Sequence, residues 1–297
     1  MLALIAMLFT ALLWSTSGLF IKLLDWNPMC IAGGRSILAA LLIFIVRLTR
    51  RNKIEKRSLQ SWGWTIAAGV AYALTMIFFV VANRMTTSAN AILLQYTAPV
   101  WAALLGWLVL KERPSWQNWC SLSLVFLGMM LFFRDGLVLA ASAENGPAAA
   151  TMTLGNVIAL VSGISFGANA VFMRKIKEGD PADAMLIAHI ITGLVSLPFF
   201  FDTMPAFTGP SIASILFMGF LQIGLASLLF SYGIKRIPAV QAMLICMIEP
   251  LMNPVWVFLA IGETISASTL IGGMIIILAV LFSQIRGSRQ NHLTLKS

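Results

Sequence analysis

Ten apolar runs, most of them near twenty residues long, dominate this sequence: about 2–24, 28–48, 62–82, 88–110, 116–133, 153–173, 182–201, 211–233, 239–261 and 266–285. A helix needs about 20 apolar residues to cross a hydrocarbon core of roughly 30 Å. Inside that core only helices and closed barrels satisfy every backbone polar group. Barrel strands run about ten residues and alternate polar with apolar positions, whereas these runs are longer and unbroken. With 59% hydrophobic and 10% charged residues the chain has too little polar surface to coat a water-soluble domain. The expectation is therefore an all-α integral membrane protein with ten transmembrane helices.

The runs leave only short connections. The longest, residues 134–152 (RDGLVLAASAENGPAAATM), reads as a loop from its Ala, Gly, Ser, Asn and Pro content. Residues 2–24 are expected to be the first span, because the run exceeds a signal-peptide core and no basic segment precedes it. The three cysteines, Cys30, Cys120 and Cys246, lie in or beside the runs without metal-ligand spacing. They read as apolar filler, and no metal or cofactor is expected.

The net charge of +9 is informative through its distribution. With the amino terminus placed inside, Arg47, Arg50, Arg51, Lys53, Lys56, Arg57, Lys111, Arg113, Arg174, Lys175, Lys177, Lys235, Arg236, Arg286, Arg289 and Lys296 all fall on the inner side, 16 of the 20 basic residues. Such an excess orients membrane proteins. Both termini are expected in the cytoplasm of a cell carrying this chain in its plasma or inner membrane. The basic charge then reports topology and contact with the lipid bilayer, not a nucleic-acid partner.

The two halves resemble each other. A shift of 151 lays Arg84 on Lys235, Asn90 on Gln241, Ala91 on Ala242, Pro99 on Pro250 and Glu112 on Glu263. A shift of 152 lays Trp14, Phe20 and Lys22 on Phe166, Phe172 and Arg174, and a shift of 153 lays Pro28 on Pro181. Each half holds five runs, and five is odd, so the second copy enters the membrane inverted. Two inverted five-helix repeats follow, at 1–137 and 153–287, joined by an outer loop at 138–152 and ending in a cytoplasmic tail at 288–297. Inverted repeats around a midplane site are the architecture of secondary transporters.

Several stretches carry a family resemblance: WSTSGLFIK in the first run, Arg35 followed by ILAALL in the second, and the paired segments SANAILLQYTAPVWAALLGWLVLKERPS and AVQAMLICMIEPLMNPVWVFLAIGETIS. Together they resemble the drug/metabolite transporter superfamily, and within it the EamA-type carriers, over nearly the whole chain. The resemblance implies ten helices, a central cavity lined mainly by spans 1–4 and 6–9, and peripheral fifth and tenth spans. It also implies movement of small metabolites, commonly amino acids or related compounds and often outward, with a small-molecule substrate as partner. The sequence does not choose between a monomer and a homodimer.

Ionisable groups in membrane spans are costly and mark candidate sites. Glu249 lies about 15 Å into the ninth span, near the midplane. Two roles are open to it: holding a substrate ammonium or a coupling proton, or serving as a structural carboxyl bonded to a neighbouring helix. Gln241, Ile245, Glu249 and Asn253 recur four apart, which puts three polar groups on one helical stripe. Arg35, roughly 10 Å into the second span, is a fork for a substrate carboxylate or a clamp on helix ends. His189 is a proton relay or a histidine satisfied by one neighbour. Pro99, Pro250 and Pro254 remove backbone hydrogen bonds in mid-span, as hinges or as static kinks.

Trp14, Ser15, Ser17, Tyr72, Asn90, Gln95, Tyr96, Trp101, Ser165, Asn169 and Gln222 complete the expected lining, since small-molecule sites combine aromatic walls with a few polar anchors. Trp62, Trp64, Trp116 and Trp119 fit an interfacial belt. Glu112 and Glu263 end their spans as helix-end hydrogen bonds or as gate charges. Neither HExxH, GxSxG nor a phosphate-binding loop occurs, and Asp25, Asp135, Asp180, Asp183 and Asp202 all fall at run ends or in loops. An enzyme is therefore not expected, and no repeated filter segment suggests a channel. The expectation is a carrier with Glu249 for a cationic group or proton, Arg35 for an anionic group, and Asn90, Gln95 and Gln241 for neutral hydrogen bonds. The runner-up substrate is a cationic or aromatic drug-like compound.

Overall fold

A computed structural model describes residues 1–17, 20, 24–49, 58–134, 148–261 and 266–294, with side chains at 88–89, 148–149, 253–254, 257–258, 260–261 and 284–294 outside the description. The side chains of Asn253 and Pro254, and all of Lys22, Glu263 and the 50–57 basic segment, therefore lie outside the described residues. Every element described is helical. Helices α1 (Leu2–Ser15), α2 (Pro28–Thr49) and α3 (Leu59–Met85) come first. The fourth run forms α4 (Ser88–Gln95), α5 (Ala98–Leu105) and a π-helical turn at Gly106–Leu110, followed by α6 (Trp116–Phe132). The second half begins with α7 (Ala148–Lys175) and α8 (Ala182–Asp202). Its third run forms α9 (Gly209–Phe217), a π-helical segment at Met218–Leu225 and α10 (Ala226–Ile234). Helices α11 (Ala239–Cys246), α12 (Ile248–Ile261) and α13 (Ala267–Thr294) complete the chain.

Turn chemistry explains the helix starts. Ser58, Thr87 and Ser115 each cap a helix by accepting from the backbone amide three residues on. Thr208 and Ser211 form a reciprocal capping box at α9. Pro28 opens α2, where its missing amide costs nothing.

Six helical stretches are long and apolar enough to cross a membrane: Pro28–Thr49, Leu59–Met85, Asn90–Leu110, Ala150–Lys175, Ala182–Asp202 and Gly209–Ile234. This is a multi-pass membrane protein. Leu2–Ser15, Trp116–Phe132, Ala239–Met252 and Ala267–Ser283 are shorter apolar helices. The 14 residues of α1 rise about 21 Å, less than a hydrocarbon core. Helix length thus establishes six spans where the sequence suggests ten.

Both long proline-bearing runs break at matching points. The first breaks at Tyr96 and Thr97 and the second at Met247, residues that the 151 shift superposes at 96 and 247. Pro99 and Pro250 stand three residues beyond, where each ring clashes with the carbonyl four residues back. Glycines let other helices approach the first break. A Cβ on Gly163 of α7 would sit 2.7 Å from the Leu94 carbonyl and 2.8 Å from that of Gln95. One on Gly167 would sit 2.7 Å from the Ala98 carbonyl. Small residues four apart allow such close backbone approach in membranes. Helix α7 therefore lies against α3, α4 and α5, while α6 pairs mainly with α13 and α2 lies against α8 and the 218–225 segment.

Candidate functional site

The principal core runs through the middle of this bundle and contains Trp14 (α1), Tyr72 (α3), Phe166 (α7) and Phe230 (α10), all buried. Their rings form one cluster. The Trp14 centroid lies 6.3 Å from Tyr72, 5.9 Å from Phe166 and 5.4 Å from Phe230. Tyr72 meets the His189 ring edge-on at 5.8 Å. Aromatic pairs at these separations add to the hydrophobic gain of burial.

Charged groups gather beside the rings. Arg35 of α2, only 8% exposed, lies within electrostatic reach of Tyr72 and Glu249. It also acts on His189. Glu249, half-buried in the first turn of α12, shares a side-chain hydrogen bond with the Tyr96 hydroxyl at the break of the other repeat. The two breaks thus place an acid from one half against a phenol from the other. The basic group comes from α2. Pro99 and Pro250 are buried at these breaks.

Several buried polar atoms here have no protein partner: Trp14 Nε1, Arg35 Nε, His189 Nδ1, Gln222 Oε1 and Asn169 Oδ1. Buried polar groups are nearly always hydrogen-bonded, so a cluster of unpaired ones beside aromatic walls suits a polar ligand. His189 uses its other nitrogen on the Ser227 hydroxyl at 2.9 Å. Gln222 Nε2 donates to the Trp14 carbonyl at 3.4 Å.

The other expected lining residues divide by their partners. Gln95 Nε2 donates to the Ser162 hydroxyl at 3.1 Å, which donates to the Thr75 carbonyl. Asn169 Nδ2 donates to the Ala68 carbonyl at 2.9 Å. Asn90 donates to Thr86, itself bonded to Asn156. Trp101 donates to Thr97 at 3.1 Å across the break. Gln95 and Asn169 thus stitch separate helices together, while Asn90 and Trp101 bond four residues back along the chain. Ser165 is buried, whereas Ser17 and Gln241 are half-buried. Trp62 and Trp116 are exposed, as a belt requires, but Trp64 packs on Phe172 at 5.4 Å.

Phe166, Phe230 and Trp256 join the site without having been singled out for it. Trp256 Nε1 donates to the Ser15 hydroxyl at 2.8 Å, tying α12 to α1. The register between Trp14 and Phe166 carried a signal for the second. Phe230 and Trp256 left none. Among the described residues no three His, Cys, Asp or Glu side chains gather as a metal site.

Two stretches of the chain, residues 1–134 and 153–284, each match the EamA-like transporter family. The chain belongs to the EamA-like transporter family. This EamA-like protein is 23% identical over 283 residues to the uncharacterized transporter YwfM of Bacillus subtilis (strain 168), covering 92% of this chain and 90% of that one. It is 25% identical over 281 residues to an uncharacterized transporter of Archaeoglobus fulgidus, covering 91% and 93%. A solved crystal structure, 17% identical, superposes with a TM-score of 0.78 over 97% of this chain and 98% of that one, which establishes a shared fold. Membership of this family makes the protein a membrane transporter.

Proposed function

We propose that this EamA-like protein is a secondary carrier of a small zwitterionic metabolite, an amino acid or related compound, moved outward by alternating access. One observation carries the reading: Arg35 and Glu249, a base and an acid from different halves, lie within electrostatic reach of each other and of Tyr72 in the aromatic core. A substrate ammonium fits Glu249, and a carboxylate fits the fork of Arg35. Trp14 and Phe166, which the repeat register superposes, are in ring contact. In this reading ten helices form two inverted five-helix halves, and the four shorter ones complete the spans. The basic bias places both termini in the cytoplasm of a plasma or inner membrane. Glu249 and His189 are its candidates for proton coupling, and Pro99 and Pro250 its hinges.

The four clustered rings favour a second substrate class, cationic or aromatic drug-like compounds, for which aromatic walls and Glu249 suffice. Purified protein is screened by thermal shift against amino acids, nucleosides, sugars and organic cations, since a ligand of the folded state raises the melting temperature. Hits are then followed as labelled solute in proteoliposomes. Loss of flux in both Arg35→Gln and Glu249→Gln supports the zwitterion. Loss in Glu249→Gln alone supports the cation. Indifference to both removes the site assignment.

A further inference from the structure

The end of the bundle that carries Arg174 is sealed twice. Beneath the surface lie Ile176 (1% exposed), Ile237 (7%), Ala182 (2%) and Ile234 (0%), all part of the principal core. Above them runs a polar lattice centred on residues 174–183. Arg174 Nε donates to Glu112 Oε1 at 2.6 Å, and its Nη1 donates to the Ile237 carbonyl at 2.7 Å. Lys175 donates to the Val109 carbonyl at 2.8 Å, and Lys235 to that of Gly179 at 2.9 Å. Arg47 reaches Asp183 at 2.8 Å, while the Ser58 amide donates to Glu178 at 2.6 Å.

Arg174 joins three separate pieces of chain. Its own helix opens the second half. Glu112 ends the fourth run of the first half. Ile237 leads into α11, the start of the ninth run. The backbone around Glu112 is also unusual. Lys111 has φ of 60° and ψ of 21°, and it is the sole non-glycine residue with positive φ among those described. That conformation is unfavourable for a residue with a Cβ. It follows the π-helical turn at 106–110 and is closed by the Glu112 amide on the Gly106 carbonyl at 3.2 Å. Strained backbone of this kind persists where surrounding contacts hold it and often marks a switch. Glu112, the next residue, is the one the ion pair engages. The pair's two partners are partly exposed, at 21% and 35% of their side chains, so water can compete for them when the end loosens.

We infer that Arg174 is the latch of one mouth of the transport path: its bond to Glu112 ties the second half to the first, its bond to the Ile237 carbonyl ties α7 to the start of the ninth run over the Ile176–Ile237 seal, and transport requires the tie between the halves to break. This rests on the alternating-access reading above. A carrier must close one end while the other is open, and a latch between halves biases that equilibrium by its own interaction free energy. Partly exposed contacts suit the role, since each contributes a modest amount and their loss is reversible.

The test needs no substrate. In a variant whose Cys30, Cys120 and Cys246 are replaced by alanine, Ile176→Cys reports this end and Leu24→Cys, buried at the opposite end, reports the other. Labelling by a sulfonated maleimide is timed in lipid nanodiscs. Glu112→Gln is expected to speed labelling at position 176 about fivefold, as for one partly exposed ion pair. Arg174→Gln, which also loses the carbonyl bond, is expected to speed it more than about tenfold. Position 24 stays as slow as before, or slows. The charge-exchanged protein, Glu112→Arg with Arg174→Glu, restores the ion pair and returns position 176 toward the parent rate. Unchanged labelling at 176 overturns the latch. So does an equal rise at both positions, which indicates general loosening, or a charge-exchanged protein as open as the single variants. Flux of labelled amino acids is measured separately. A parent without flux counts against the carrier reading, while the labelling contrast still decides the latch.

Discussion

Gly163→Ala tests the packing of α7 on the first helix break. The added Cβ would lie 2.7 Å from the Leu94 carbonyl, 2.8 Å from the Gln95 carbonyl and 2.9 Å from the Thr97 hydroxyl. Two of these three atoms are backbone and cannot rotate away. Either α7 retreats or the break closes. Overpacking of this kind costs about 1–3 kcal/mol. Alanine in place of glycine inside a helix returns about 0.5–1 kcal/mol, so the net loss centres on about 1 kcal/mol within a span of about 0–2.5 kcal/mol. The retreat would also stretch the Gln95–Ser162 hydrogen bond of 3.1 Å and shift Tyr96, the residue that meets Glu249. Gly63→Ala serves as the control, because a Cβ there meets nothing within 4 Å. It should keep the helix gain of about 0.5–1 kcal/mol. Melting temperatures of the three proteins in one detergent rank them: Gly63→Ala highest, parent next, Gly163→Ala lowest. A Gly163→Ala protein as stable as the parent would refute the claim that α7 is seated on the broken backbone.

Three further outcomes follow from single contacts. Trp256→Phe removes the 2.8 Å bond to Ser15, whose hydroxyl also donates to the Leu12 carbonyl and so stays partnered; the loss should be about 1 kcal/mol in thermal melting. The Glu178 carboxyl, outside the membrane, is held below its ordinary value by the backbone amide of Ser58 and then by the Ser58 side chain. A carboxyl lowered in the folded protein stabilises it above the ordinary value of 4.5, and that contribution disappears as pH falls through the folded value. Glu178→Gln should therefore melt below the parent near neutrality and converge with it in acid. Gly272→Val should separate α13 from α6, because its Cβ would meet the Phe132 amide and lie 2.5 Å from the Gly128 carbonyl; a shifted elution of the helix pair after limited proteolysis, or a lowered melting temperature, reads this out.

Local chemistry wrote much of this protein directly into its sequence. The runs at 28–48 and 182–201 became Pro28–Thr49 and Ala182–Asp202, because apolar residues in lipid must satisfy their backbone within one helix. Pro99 and Pro250 announced both breaks, because a proline ring acts on the carbonyl four residues earlier whatever surrounds it. The register of Trp14 on Phe166 survived as a contact. Packing alone decided which polar groups remained unpaired. Gln95 and His189 were equal candidates as letters, yet Ser162, 67 residues away, engages Gln95, while His189 keeps one nitrogen without a partner. Glu112 and Arg174, 62 residues apart, were separate helix ends until the bundle brought them to 2.6 Å. Such pairings depend on how helices cross, and a crossing is set by side-chain shape over the whole interface, such as the absence of a Cβ at Gly163 or Gly272, not by the spacing of residues along any one run.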